Sequence, residues 1–173
     1  MQLKKLFIFF AIPIFFSLAS CAFAPVNRPT VSKYSVRNQE LFEIPKKELL
    51  DLAQKALIAM GYQPSLVTED GPILTATRRV LSQQNCDCGT WNGVPVEGNV
   101  DSVITIKVLP QKKGKNAVFI DSNFTVLFTG KNIYGMTTRQ ETYRCTSLGV
   151  VENLFWSQMN DLISARGQKL KNL

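Results

Sequence analysis

Three cysteines in the middle and later part of the chain carry the side chains best suited to covalent or metal chemistry. Cys86 and Cys88 are separated by one aspartate, and Cys145 follows much later in the chain. An oxidising compartment favours disulfides, and an odd number of thiols leaves at least one outside such a bond. A bond between Cys86 and Cys88 would close a very small, strained ring. We therefore expect a structural disulfide that joins Cys145 to Cys86 or to Cys88.

Two sharper hypotheses use the same three thiols. Cys86 and Cys88 could form a redox pair with Cys145 as the resolving thiol, although the Cys-x-x-Cys spacing of thioredoxin-like proteins is absent. Alternatively, the three thiolates could bind zinc with Asp87 or water as the fourth ligand, although a closed structural site usually has four protein ligands. Both hypotheses describe a thiol redox or metal-binding protein.

The chain contains no histidine. This composition removes the commonest general base and the commonest nitrogen ligand for zinc. A Ser-His-Asp or Cys-His catalytic arrangement is therefore impossible, and an enzyme would have to use carboxylates, lysines or thiols alone. The sequence favours a non-enzymatic binding or structural role, with no catalytic residues, no metal and no bound cofactor.

A fourth cysteine, Cys21, follows a short apolar segment at the start of the chain. Lys4 and Lys5 precede an apolar run over residues 6–16, which is 11 residues long. A helix needs about 20 apolar residues to cross a bilayer, so this run is too short to span one. A basic start, an apolar run and small residues before a cut site are typical of a secretory signal.

The tetrapeptide Leu18-Ala19-Ser20-Cys21 resembles the lipobox of bacterial lipoproteins. The resemblance implies that residues 1–20 are removed, that Cys21 receives a diacylglyceryl group, and that its new amine is acylated, for example with palmitate. Stable anchoring needs more than one acyl chain, and a triacylated cysteine meets that requirement. Ala22 follows the cysteine, and by the same resemblance a residue other than aspartate there implies the outer membrane, facing the periplasm.

Size and charge limit the choice of partner. Without residues 1–20, which hold two lysines and no acidic residue, the chain has 153 residues, 18 of them basic and 13 acidic, for a net charge of +5. That length is one ordinary domain with its own core. A mildly basic surface could contact anionic lipid or anionic envelope polymers, although we favour a plain soluble surface with a small excess of lysine. We expect an envelope protein or polymer as the partner. The densest basic run, residues 112–115, is typical of a turn, and we do not expect nucleic acid as a partner.

Two segments have the periodicity of amphipathic helices. The first helix is predicted to open near Ile44 and Pro45 and to reach Met60, with Gly61 ending it. The last helix is predicted to begin near Thr146 or Ser147 and to end near Ala165. The apolar stripe predicted for the first helix is Leu49, Ala53, Ala56, Leu57 and Met60. For the last helix it is Val151, Leu154, Phe155, Met159, Leu162 and Ile163.

Five segments between the helices alternate as strands do. They cover residues 62–67, 73–80, 102–109, 117–129 and 136–145. Pro64 favours an edge position for the first of them. The fourth is the longest, with an apolar face at even positions interrupted by Ser122. Residues 81–101 are irregular, and such a long stretch within a domain is often functional.

The element order predicts a two-layer α+β domain, with an antiparallel sheet of four to five strands packed by two helices. In this order, over residues 44–165, the chain resembles the helix-on-sheet domains of outer-membrane assembly lipoproteins of the BamC type. We expect residues 1–20 to be the signal, 21–39 a flexible or extended lipidated tether, and 40–173 one α+β domain.

Two tryptophans are candidate interaction residues, because indole rings are enriched at binding hot spots. Trp156 lies off the predicted apolar stripe, so we expect it to be partly exposed. For Trp91 we favour a place in the hydrophobic core. The predicted working surfaces are the irregular segment 81–101 and the exposed side of the last helix around Trp156.

Overall fold

A computed structural model describes residues 27, 35–67, 73–81, 83–91, 93–131 and 134–171. The α+β fold predicted from the sequence is confirmed, because two helices pack on an antiparallel sheet. The elements are β1 (Gln39–Phe42), α1 (Lys46–Ala59), β2 (Gln63–Val67), β3 (Ile73–Leu81), β4 (Cys86–Asp87), β5 (Thr90–Trp91), β6 (Val94–Pro95), β7 (Val100–Pro110), β8 (Asn116–Lys131), β9 (Thr137–Ser147) and α2 (Val150–Lys171).

The main sheet has seven strands and is built around β8. Its order is β2-β3-β7-β8-β9-β4, and β1 also pairs with β8. β7 covers one edge of β8 along residues 116–126, so β1 and β9 share the other edge, at residues 116–119 and 124–131. The five predicted strands are β2, β3, β7, β8 and β9. β1 and β4, with four and two residues, were not predicted, because such short strands carry almost no periodic signal.

One face of the sheet is covered and the other is open to solvent. Along β7, buried residues alternate with exposed or partly exposed ones from Val100 to Val108. Along β8, the predicted apolar face at even positions is buried from Val118 to Phe128, with Ser122 only partly buried. This alternation follows from the two-residue period of a strand. β2, which carries Pro64, lies at the edge of the sheet as predicted.

Helix α1 follows its predicted pattern. It buries Leu49, Leu52, Ala53, Ala56 and Leu57. Pro45 precedes the helix, and its carbonyl accepts hydrogen bonds from the backbone N–H groups of Glu48 and Leu49. Gly61 follows with φ +79°, a left-handed conformation that glycine adopts without steric cost.

Helix α2 differs from the prediction at both ends and in its buried face. It begins at Val150, because residues 146 and 147 still pair with β4, and it continues past Gly167 to Lys171. Its buried stripe includes Glu152, Phe155, Trp156 and Met159, which are spaced three and four residues apart. Leu154, predicted to be buried, lies on the other side and is 45% exposed.

The chain before β1 is bonded to the domain at separate points. The indole N–H of Trp156 donates to the carbonyl of Arg37 at 2.7 Å, and the backbone N–H of Ile120 donates to the carbonyl of Asn38 at 2.9 Å. Asn27 exchanges two backbone hydrogen bonds with Thr90. The domain therefore begins by Arg37, two residues before the first strand of the sheet. Cys21, the predicted signal and most of the predicted tether lie outside the described residues.

Within the described ranges, no helix is both long enough and apolar enough to cross a bilayer.

Candidate functional site

The three downstream cysteines meet at the end of the sheet where β4 pairs with β9. The register places Cys86 opposite Ser147, and Cys145 lies two residues earlier on β9. Cys88 forms a disulfide with Cys145, with an S–S distance of 2.00 Å. This bond confirms the predicted disulfide and selects Cys88 from the two partners that the sequence left open. It joins the segment after β3 to the strand that leads into α2.

Cys86 is a buried thiol beside that disulfide. Its Sγ atom lies 3.9 Å from the Sγ atom of Cys88, and its side chain is 3% exposed. Burial, together with the smaller effect of the neighbouring Asp87 carboxylate, raises the pKa of the Cys86 thiol to about 11. Because the thiolate is the reactive form, Cys86 is a poor nucleophile at neutral pH.

The same geometry brings together the three sulfurs of the predicted metal site. The Sγ atoms of Cys86, Cys88 and Cys145 all lie within 4.8 Å of one another, and all three side chains are buried. Asp87, predicted as a possible fourth ligand, accepts a hydrogen bond from the backbone N–H of Gly89 at 2.8 Å. The structure therefore gathers three sulfur ligands and directs at least one Asp87 oxygen to the local turn.

Residues 86–91 and 93–98 form a covering loop over one end of the sheet, and three short strands interrupt the stretch that was predicted to be irregular. β5 and β6 make a small hairpin, and Val96 is buried beneath it. Trp91 is partly buried and packs against Phe128, with ring centroids 5.4 Å apart. Trp91 therefore extends the hydrophobic core, as the sequence favoured.

Trp156 is fully inside the domain. Its side chain is 2% exposed, so the prediction that it is partly exposed is wrong. Its ring packs on Phe42, with centroids 6.4 Å apart, and on Phe155, with centroids 5.0 Å apart, and the guanidinium of Arg37 lies over it at 5.8 Å. Trp156 thus holds the segment before β1 against α2, and its indole is not available as a binding anchor. Its spacing of three residues from Met159, which was predicted to be buried, was the signal that could have revealed its burial.

A small cleft between the segment before β1, strands β8 and β9, and α2 contains a carboxylate that sequence reasoning missed. Glu152 is 2% exposed, and the hydroxyl of Ser147 donates to its Oε2 at 2.9 Å. The backbone N–H of Gly149 in turn donates to the Ser147 hydroxyl at 3.0 Å. A carboxylate in the first turn is favoured by the helix dipole, so Glu152 serves to start α2. The cleft has a volume of about 200 Å³.

A second polar group is buried where α1 leads into β2. The hydroxyls of Tyr62 and Ser102 are 3.0 Å apart, and the guanidinium of Arg78 lies over the tyrosine ring at 5.9 Å. Burial raises the pKa of Tyr62, which the bond to Ser102 partly offsets. Arg78 also donates to the carbonyl of Met60 at 2.6 Å, at the end of α1. This arrangement ties the helix end to the sheet.

The lysine-rich segment lies at the opposite end of the sheet from the covering loop. Lys112 and Lys113 are exposed in the turn between β7 and β8, as predicted. Lys115 makes an ion pair with Glu43 at 3.1 Å. Nearby, Arg166 of α2 pairs with Glu48 of α1. Two lysines of the turn are therefore exposed, whereas its third is engaged by an acidic neighbour.

A scan against models of protein families gives no match, and a search of curated proteins gives none either. The assignment of a function therefore depends on the residues and contacts described above.

Proposed function

We propose that this protein is a lipid-anchored lipoprotein of the bacterial envelope that acts as a non-enzymatic binding or assembly factor. Its anchor is the acylated Cys21, which holds it to the outer membrane facing the periplasm. The basis for the anchor is the resemblance of residues 18–21 to a lipobox after a short signal-like segment. The partner is an envelope protein or polymer.

The observation that carries the proposal is the buried disulfide between Cys88 and Cys145. Disulfides persist in oxidising compartments outside the cytoplasm, and an exported lipoprotein resides in such a compartment. Because the bond closes a long loop, it also stabilises the covering loop over Phe128. The disulfide thus supports export independently of the sequence at the start of the chain.

The chemistry of the remaining groups favours binding over catalysis. Two of the three clustered sulfurs are joined to each other, and burial keeps the third protonated at neutral pH. The buried Glu152 is engaged in starting α2. We therefore expect the protein to act through its exposed surface. The exposed lysines Lys112 and Lys113 are suited to binding an acidic partner.

Cell fractionation tests the anchor. In cells that express the full chain, the protein should sediment with membranes, and Cys21→Ser should release it into the soluble envelope fraction. Cys86→Ser is the matched control, because it changes a cysteine that lies within the folded domain. Sedimentation of the Cys21→Ser variant at the level of the unchanged protein would contradict the proposal.

A second candidate function is a thiol redox or metal-binding protein, and the three sulfurs within 4.8 Å of one another favour it. Reduction of the disulfide would release two thiols beside Cys86, and three thiolates with one further ligand can hold zinc. The raised pKa of Cys86 opposes this, because ligation requires the thiolate.

A thiol count separates the two candidates. For the acylated protein, the structural disulfide predicts one reactive thiol after denaturation without reductant and three with reductant. Three thiols without reductant, together with one zinc ion bound per chain, would support the metal-binding candidate instead.

A further inference from the structure

The position of Asn27 limits how far the domain can lie from its anchor. The backbone N–H of Asn27 donates to Thr90 at 2.9 Å, and the N–H of Thr90 donates back at 3.0 Å. Cys21 is six residues earlier, and a fully extended chain covers at most about 3.3–3.6 Å per residue, or about 20 Å in all. An acylated Cys21 would therefore keep Thr90 within about 20 Å of the bilayer surface.

Thr90 lies near one particular end of the sheet. The next residue, Trp91, packs on Phe128 with ring centroids 5.4 Å apart. From Phe128, β8 reaches its end at Lys131 in three residues, about 10 Å, whereas its beginning at Asn116 is twelve residues away, about 40 Å. The six-residue tether is therefore long enough to bring the β8–β9 turn to the membrane. It covers only about half of the distance that would be needed to bring the lysine-rich turn there.

The end of the domain near the tether carries the most exposed apolar side chains. Among large hydrophobic residues in the described ranges, Tyr134 is 79% exposed, Val94 is 63% exposed and Met136 is 60% exposed. Tyr134 and Met136 lie between β8 and β9, and Val94 lies in the β5–β6 hairpin. Lys131, at the end of β8, is also exposed.

These side chains have the chemistry of a membrane interface. Tyrosine has an apolar ring and a polar tip, methionine is apolar and adaptable, and lysine can keep its ammonium at the level of anionic headgroups. Exposed apolar groups clustered at one end of a domain are a marker of a contact surface. Because these side chains lie beside the tether, the surface that they contact is the lipid bilayer.

We propose that Tyr134, Met136, Val94 and Lys131 form a membrane-contact surface that rests in the headgroup layer of the leaflet holding Cys21. This inference depends on the lipid attachment proposed above, and it adds a fixed orientation of the domain. In that orientation the exposed lysines of the β7–β8 turn point away from the bilayer, toward partners in the surrounding space.

Fluorescence quenching by brominated lipid tests this orientation. The acylated protein, which begins at Cys21, is placed in vesicles of phosphatidylethanolamine and phosphatidylglycerol whose acyl chains carry bromine. Tyr134→Trp adds a reporter at the proposed surface, and Leu109→Trp is the matched control, because Leu109 is 46% exposed beside the lysine-rich turn. The signal of Trp91 and Trp156 is measured in the unchanged protein and subtracted.

We expect the reporter introduced by Tyr134→Trp to lose roughly half of its emission, since interfacial groups lie about 5–10 Å into the headgroup and acyl boundary. The reporter introduced by Leu109→Trp should keep its emission. Equal quenching of the two reporters, in protein that sediments with the vesicles, would overturn the orientation while leaving the anchor intact. Failure of the acylated preparation to sediment would instead contradict the anchor itself.

Discussion

The Cys88–Cys145 disulfide should be the largest single contributor to the stability of the domain. Its sulfurs join residues separated by 57 positions. The chain-entropy description of such a cross-link gives about 4 kcal/mol for a loop of this length, because the unfolded chain is less free when the loop is closed. This is a large part of the roughly 5–15 kcal/mol by which a typical domain is stable.

The perturbation is the double variant Cys88→Ala/Cys145→Ala, which also prevents Cys86 from forming an alternative disulfide. Cys86→Ala is the control, because it removes an equally buried sulfur from the same cluster but no cross-link. We expect a loss of about 4 kcal/mol or more for the double variant, against about 1 kcal/mol for the control, which is typical of a single substitution.

Urea unfolding followed by tryptophan fluorescence measures both quantities. The double variant should also show a larger dependence of unfolding free energy on urea, because its unfolded chain exposes more surface. Dithiothreitol should lower the midpoint of the unchanged protein and leave that of the double variant in place. The assignment of the disulfide as the main stabilising cross-link would be refuted if the double variant lost no more than twice the free energy of unfolding that the control loses, with an unchanged dependence on urea.

Three further predictions concern single positions. Gly98→Ala should destabilise the domain by about 1–3 kcal/mol, because the new Cβ would lie 2.8 Å from a core side chain. Gly167→Ala, whose Cβ would meet nothing within 4 Å, should instead stabilise α2 by roughly 0.5–1 kcal/mol. Thermal unfolding compares the two variants, and equal shifts of their melting temperatures would contradict the packing around Gly98. In urea unfolding, Trp156→Phe should lose about 1–2 kcal/mol more of the free energy of unfolding than Trp91→Phe, since only the first variant removes an indole hydrogen bond. Equal losses would contradict the role of Trp156 in holding the segment before β1. The pKa of Cys86 is raised to about 11, so the unfolded chain loses this proton first, and the free energy of unfolding should fall by about 1.4 kcal/mol per pH unit between about pH 9 and pH 11. Burial also raises the pKa of Tyr62, which adds a loss of the same sign, so an equally steep slope in Cys86→Ala is the result that would argue against Cys86 as the cause.

The long elements were predictable because their periodicity is sustained. β7 and most of β8 alternate between buried and more exposed residues, so their buried faces could be assigned from the sequence. Helix α1 likewise combines an apolar stripe with Gly61 at its end. Local patterns determine these elements, and tertiary contacts only shift their bounds by one or two residues.

Features that depend on tertiary contacts were not predictable. Cys86 and Cys88 are only two residues apart, so spacing alone could not decide which of them bonds to Cys145. β1 is a strand only because it pairs with β8. Residues 146 and 147 belong to β9 because they pair with β4, so α2 begins later than predicted. Trp156 was misplaced because the stripe of α2 includes a charged residue, Glu152, whose burial depends on a hydrogen bond from Ser147.

The most direct test of the lipid anchor is the mass of the N-terminal peptide of protein isolated from the membranes of expressing cells. The account predicts a chain that begins at Cys21, with a diacylglyceryl group on its sulfur and an acyl chain on its amine. A peptide that begins elsewhere, or that begins at Cys21 and carries no lipid, would contradict it.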